Sequence, residues 1–234
     1  MITKDIGSYI STECKDSLKS ITKLSKSKGN VSLVLDERKL YDYDEITEKL
    51  HNYIKCPASA DSVLIKGKLV AFIEFKSGFK KRITKKNFQL DKLTCPYDKK
   101  KEWVCKEYGK LLLDKLELES RELLDSIKMK AIESYITLEK KIIPLCEDIT
   151  SKKKIRLSYW VVVDYEDSAI DMLEDTLAEL GEISSEDNPI SDIKNSLGRF
   201  VGQRDVDNQS YYYDEVEVFT PEEFLKQLDR FGVE

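Results

Sequence analysis

The sequence predicts an α/β protein, a mixed sheet flanked by helices, and three observations carry that expectation. "DSVLIKGKLVAFIEFK" (61–76) reads as two apolar strands joined at Gly67-Lys68, the two-residue turn with glycine first that a type II′ hairpin favours. "RLSYWVVVDY" (156–165) is a nearly continuous β-branched and aromatic run, as a strand covered on both faces must be, and it should be central. Around these runs stand segments whose apolar residues recur every three or four positions, the period of an amphipathic helix.

In chain order, Ile6, Ile10, Cys14, Leu18, Ile21 and Leu24 predict one helix over 3–25, broken by "SKSKGN". "VSLVLD" (31–36) follows as a short strand, and 42–54 as a second helix with Ile46, Leu50, Tyr53 and Ile54 inward; Pro57 closes that element. After the hairpin comes a basic loop to about Trp103, then a helical stretch from Cys105 to Ile143, unclear near 118–121 and ended by Pro144. Beyond the 156–165 strand, a helix capped by Asp167 or Ser168 runs through Leu180, with Gly181 at its C-terminal cap. A long polar loop then leads to the strand "YYYDEVEVF" and a last helix. Thr220, Pro221 and Glu223 are the N-cap, first-turn proline and capping-box partner of that helix.

A chain of 234 residues with 41% hydrophobic content can bury its own core, and its length fits one domain. Within it, 1–30 is expected to be a helical extension, 31–165 the core around the hairpin 60–78, and 166–234 a helix-strand-helix that completes the sheet. No apolar run approaches the roughly 20 residues of a membrane span, and the first residues lack a secretory core, so a cytoplasmic protein without membrane contact is expected. Five scattered cysteines with no CxxC pair predict reduced thiols rather than a zinc site. One histidine excludes HNH and HD metal chemistry, and no Walker A loop is present.

The net charge of −5 argues against binding nucleic acid by bulk charge. Locally the balance reverses. Residues 76–101 carry nine lysines and one arginine against Asp91 and Asp98, a positive lip for a polyanion or a solvated loop. Lys80, Lys81, Arg82, Lys85 and Lys86 are its candidate nucleic-acid contacts.

The hairpin poses the chemical question. With the turn at 67–68, residues whose numbers sum to 135 face each other, so Asp61 opposes Glu74. Lys76 shares their face with Val63, Ile65, Val70 and Phe72, while Leu64, Leu69, Ala71, Ile73 and Phe75 take the other. Opposed carboxylates on an apolar hairpin need a cation between them. Lys76 can supply one charge, and a pair of hard oxygen ligands also suits Mg²⁺ completed by water and phosphate.

These residues resemble the core of the PD-(D/E)XK nuclease superfamily, an Asp on one strand followed by Glu-X-Lys on the next. Asp61 matches the first acid, and Glu74, Phe75 and Lys76 match Glu-X-Lys; Ala60 stands where the proline of the family name would be. The tight likeness covers 58–78, and the order helix, hairpin, helix, buried strand agrees with it. The resemblance implies a restriction endonuclease-like core with a long helix after the catalytic hairpin. It also implies that Asp61 and Glu74 bind Mg²⁺, for which Mn²⁺ would substitute, and that Lys76 orients or activates the attacking water. Members often add an acid from the preceding helix; Glu45 is chosen, with Glu48, Asp42 and Asp44 as the other candidates, because the direction of Ile46, Leu50 and Ile54 lies nearer to it than to Glu48, which points almost directly away. On the long helix Ser134 and Tyr135 could reach phosphate, whereas Lys128 and Lys130 read as solvated helix charges, and no Gln-x-x-x-Tyr pattern marks the RecB-like branch.

The function expected from the resemblance is Mg²⁺-dependent hydrolysis of DNA phosphodiester bonds, by analogy an effector of a prokaryotic restriction or antiphage system. A second protein subunit would supply the DNA affinity that the acidic net charge does not, and cutting both strands with one site favours a homodimer or two successive nicks. The alternative is a nuclease-fold binding or assembly module that does not cut, or cuts only with a partner, using the acidic C-terminal half for protein contact.

Overall fold

The computed structural model describes residues 5–27, 29–77, 102–146, 155–164, 189–201 and 212–233. Six strands form one mixed sheet in the order in which they occur along the chain: β1 (Leu18–Ser20), β2 (Lys39–Asp42), β3 (Ser62–Lys66), β4 (Leu69–Lys76), β5 (Arg156–Val163) and β6 (Glu215–Phe219). The first four pair antiparallel, and β4, β5 and β6 run parallel. Among the described residues six α-helices accompany them: α1 (Ile6–Glu13), α2 (Ile21–Leu24), α3 (Tyr43–Leu50), α4 (Glu102–Thr137), α5 (Pro189–Gly198) and α6 (Pro221–Arg230).

The hairpin has the expected register, with Val63 opposite Phe72 and Ile65 opposite Val70. Gly67 takes φ +58° while Lys68 stays out of the left-handed region, so only the first turn position needs glycine. Alternation sends Val70, Phe72, Leu157, Tyr159, Val161 and Val163 into a core beneath α1, α3, α4 and α5. The opposite set, Leu69, Ala71, Ile73, Phe75, Trp160 and Val162, packs against α2 and α6. Both layers are covered, which is why β4 and β5 read as unbroken apolar runs. On α6 the capping box forms, with the Thr220 hydroxyl accepting from the Glu223 N–H and Pro221 in the first turn. The long helix continues unbroken through 118–121 to Thr137 and ends in a π turn (Leu138–Ile142) and a 3₁₀ turn containing Pro144.

Several expectations need correction. Residues 3–25 are not one helix: α1 stops at Glu13, and Leu18–Ser20 becomes the edge strand of the sheet, so the N-terminal segment joins the sheet rather than forming a purely helical extension. Ile6 and Ile10 bury in one layer and Ile21 in the other, which one straight helix could not do. The segment 31–36 is not a strand, because β1 takes the sheet position beside β2; Val31 and Leu35 are exposed, and only Val34 is buried. Helix α3 ends at Leu50, since Asn52, Tyr53 and Lys55 turn to positive φ, and Tyr53 and Ile54 point to solvent instead of inward. Within the expected long loop, 189–198 is helical, its Ile193 and Leu197 buried one turn apart. The helix expected over 167–180 and the basic lip, with Lys80, Lys81, Arg82, Lys85 and Lys86, lie outside the described residues.

Among the described residues no helix is long and apolar enough to cross a membrane. Cys14 and Cys56 are free thiols, the first buried and the second exposed.

Candidate active site

The site forms at one end of the sheet, where the C-terminal end of β4 meets the approach to β3. Parallel strands end in a crevice there, the usual location of a ligand in an open α/β sheet. Asp61, one residue before β3, is fixed at its backbone and its carboxylate. Its carbonyl accepts the Tyr43 N–H at 3.3 Å, and its Oδ2 accepts the Phe75 N–H at 2.7 Å. The preceding residues are tied to α4, for the Ala60 N–H donates to the buried Ser134 Oγ at 2.8 Å.

Glu74 is completely buried in β4. Lys76 Nζ lies 2.7 Å from its Oε1. The space between the two acids is taken by Lys130 of α4, whose ammonium donates to Asp61 Oδ1 at 2.8 Å and to Glu74 Oε2 at 3.0 Å. Two carboxylates and two ammoniums therefore compensate one another. Burial, and then the Asp61 charge, push the Glu74 carboxyl up to about 7, against the pull of Lys130 and Lys76. Burial opposes the charge of Lys130, but Glu74 and Asp61 outweigh it and hold the ammonium above the usual lysine value.

Lys130 is thus at the centre of the acid pair, not a solvated helix charge. It lies one turn before Ser134, so one face of α4 supplies both the counter-ion of the pair and the anchor of the strand that carries Asp61. A lysine flanking the buried stripe of Ile127, Ala131 and Ser134 was the available signal in the sequence.

Glu45 does not join the pair. It binds Lys19 at 2.9 Å and Lys49 at 2.5 Å, and the hydrogen bonds from Lys49 and Lys19 hold its carboxyl down to about 2. Lys19 also binds Asp42 at 2.6 Å, and the hydrogen bonds to Asp42 and Glu45 push it up to about 12. The acid that α3 turns toward the site is Asp44. It accepts a hydrogen bond from the Ser59 hydroxyl, and its charge and that of Lys130 act on each other. Burial raises its carboxyl above the ordinary aspartate value. The buried face of α3 is Tyr43, Ile46 and Thr47, which Asp44 flanks and Glu45 opposes. Tyr135 does not reach the acids: its hydroxyl donates to Glu139 at 3.3 Å, and its ring packs edge-on against Tyr212. Lys128 pairs with Asp125 at 3.1 Å.

Fold and site together define a mixed α/β protein with an acid pair, Glu74 buried and Asp61 partly exposed, charge-compensated by lysine at the end of its parallel strands. Neither family models, nor curated proteins, nor solved structures give a match to the chain.

Proposed function

We propose that this chain is a Mg²⁺-dependent nuclease that hydrolyses DNA phosphodiester bonds from a restriction endonuclease-like core. The observation that carries the reading is the convergence of Asp61 Oδ1 and Glu74 Oε2 on a single cation, with Lys76 attached to the other Glu74 oxygen. Among the described residues no group of three His, Cys, Asp or Glu side chains gathers as a metal cluster. Mg²⁺, however, takes one or two carboxylates and completes its shell with water and phosphate, and the donor set here fits that demand. Asp61 and Glu74 would hold the ion. When bound, such an ion lowers the pKa of a coordinated water and offsets phosphate charge. Lys76 orients the attacking water and stabilises negative charge on the phosphate, and Asp44 supplies the acid from the helix before the hairpin.

Lys130 also favours a second reading, a nuclease-fold module that does not cut without a partner, because its ammonium already neutralises the pair. Cleavage of supercoiled plasmid and single-stranded oligonucleotide in Mg²⁺, Mn²⁺ or EDTA separates the two, with Glu74→Ala and Lys76→Ala as controls. Metal-dependent cutting abolished in both variants supports the nuclease. Absence of cutting by folded wild-type protein in either metal overturns it in favour of the module.

A further inference from the structure

Two adjoining clefts border Asp61. One, of about 460 Å³, is lined by Lys19, Lys23 and Lys26 together with Asp42, Asp44 and Asp61. The second, of about 270 Å³, continues past Asp61 to Lys76 and Ser77 and shares Lys26 with the first.

The lysines are not equivalent. Lys19 is committed to Asp42 and Glu45. Lys23 and Lys26 are exposed and make no ion pair among the described residues, although three carboxylates line the same cleft. The backbone of the two lysines is firmly held: the Ile21 N–H donates to the Arg38 carbonyl at 2.9 Å, and the Thr22 hydroxyl to the Asp36 carbonyl at 2.9 Å. The Ser25 hydroxyl donates to the Val34 carbonyl at 3.1 Å. Two exposed, unpaired ammoniums on a held backbone, in the cleft that leads to Asp61, suit the phosphates of an anion entering that cleft. Lys26 and Asp61 line both clefts, so the occupant is extended.

We propose that Lys23 and Lys26 form a phosphate-binding wall that guides a nucleic-acid strand past Asp61. This rests on the nuclease reading and places substrate contacts on α2 and the turn after it, a different segment from the basic lip. A free phosphate would satisfy the same ammoniums, but it would not fill two joined clefts.

The test is fluorescence polarisation of a labelled single-stranded oligonucleotide over a salt series, in EDTA and in Ca²⁺. It compares wild type, K23Q/K26Q, and K226Q, whose lysine is exposed on α6 and lines neither cleft. Each phosphate contact contributes about 0.7 to the slope of log affinity against log salt for a single strand, so the double variant is expected to lose roughly 1.4. K226Q keeps the wild-type slope. Millimolar inorganic phosphate leaves wild-type binding unchanged, whereas full competition at that concentration overturns the strand in favour of a simple phosphate site. An unchanged slope in K23Q/K26Q overturns the wall and leaves the nuclease reading standing. No binding by wild type in either condition overturns the wall, and the nuclease reading is then decided by the cleavage assay.

Discussion

Replacing Lys130 by methionine keeps most of the stem's packing and removes the charge that Asp61 and Glu74 share. Each hydrogen bond to a charged group contributes about 1.5–3 kcal/mol, but burying the ammonium carries its own penalty, so the net loss is set near 2–3 kcal/mol at about pH 7.5. Glu74 escapes part of the conflict by taking a proton, and its carboxyl, already raised to about 7, moves higher in the variant. At about pH 5 Glu74 is protonated with or without Lys130, and the deficit shrinks to roughly 1 kcal/mol. Urea unfolding of wild type and K130M at both pH values, in EDTA, measures these differences through the midpoint at constant m. Millimolar Ca²⁺ should then stabilise K130M more than wild type, because no ammonium has to be displaced. A deficit below about 0.5 kcal/mol, or one equal at the two pH values, refutes the role of Lys130 as counter-ion of the pair.

Two further outcomes follow from the same geometry. Glu74 binds its proton up to about 7 in the folded protein, against an ordinary value of 4.5 in the unfolded chain. The native state therefore holds more protons between those values, and stability falls as pH rises through the window, by about 3 kcal/mol in all. Glu74→Gln should flatten that part of the profile, and an unchanged slope would assign it to other groups. Ser134→Ala leaves the buried Ala60 N–H without its acceptor and should cost about 1–3 kcal/mol, with faster hydrogen exchange at Ala60 as its local signature. Exchange at wild-type rate would remove Ser134 from the support of Asp61.

The hairpin was legible in the sequence because its information is local. A two-residue turn fixes the register, and the register fixes which side chains share a face, so the opposition of Asp61 to Glu74 and the position of Lys76 needed no distant contact. Lys130 was hidden because its partners lie 56 and 69 positions away, and helical spacing alone does not separate a flank lysine in water from one reaching over a strand end. The wheel that selects Glu45 leaves out Tyr43 and Thr47, both of which are buried. The wheel also counts Ile54, which lies in solvent beyond the helix end at Leu50; with Tyr43, Ile46 and Thr47 as the buried face, Glu45 stands on the far side and Asp44 on the flank. The edge of the sheet was read as helix because three residues of strand, Leu18–Ser20, are too few to show a period of two within a run spaced every three or four.

The pairing of β4 with β5 has a kinetic consequence. Hairpin partners such as Lys66 and Leu69 are near neighbours in the chain, whereas every β4–β5 pair, from Leu69 with Arg156 to Lys76 with Val163, joins residues 87 positions apart. A hairpin closes in about 1–10 μs, while pairing across so long a segment waits on a costly loop closure. Loop-closure entropy likewise favours an order in which Asp61 and Glu74 face each other before Lys130 of α4, 69 and 56 positions from them, docks. In that interval the acids meet as an open pair in water, and a dissolved divalent cation can reach them ahead of the tethered ammonium.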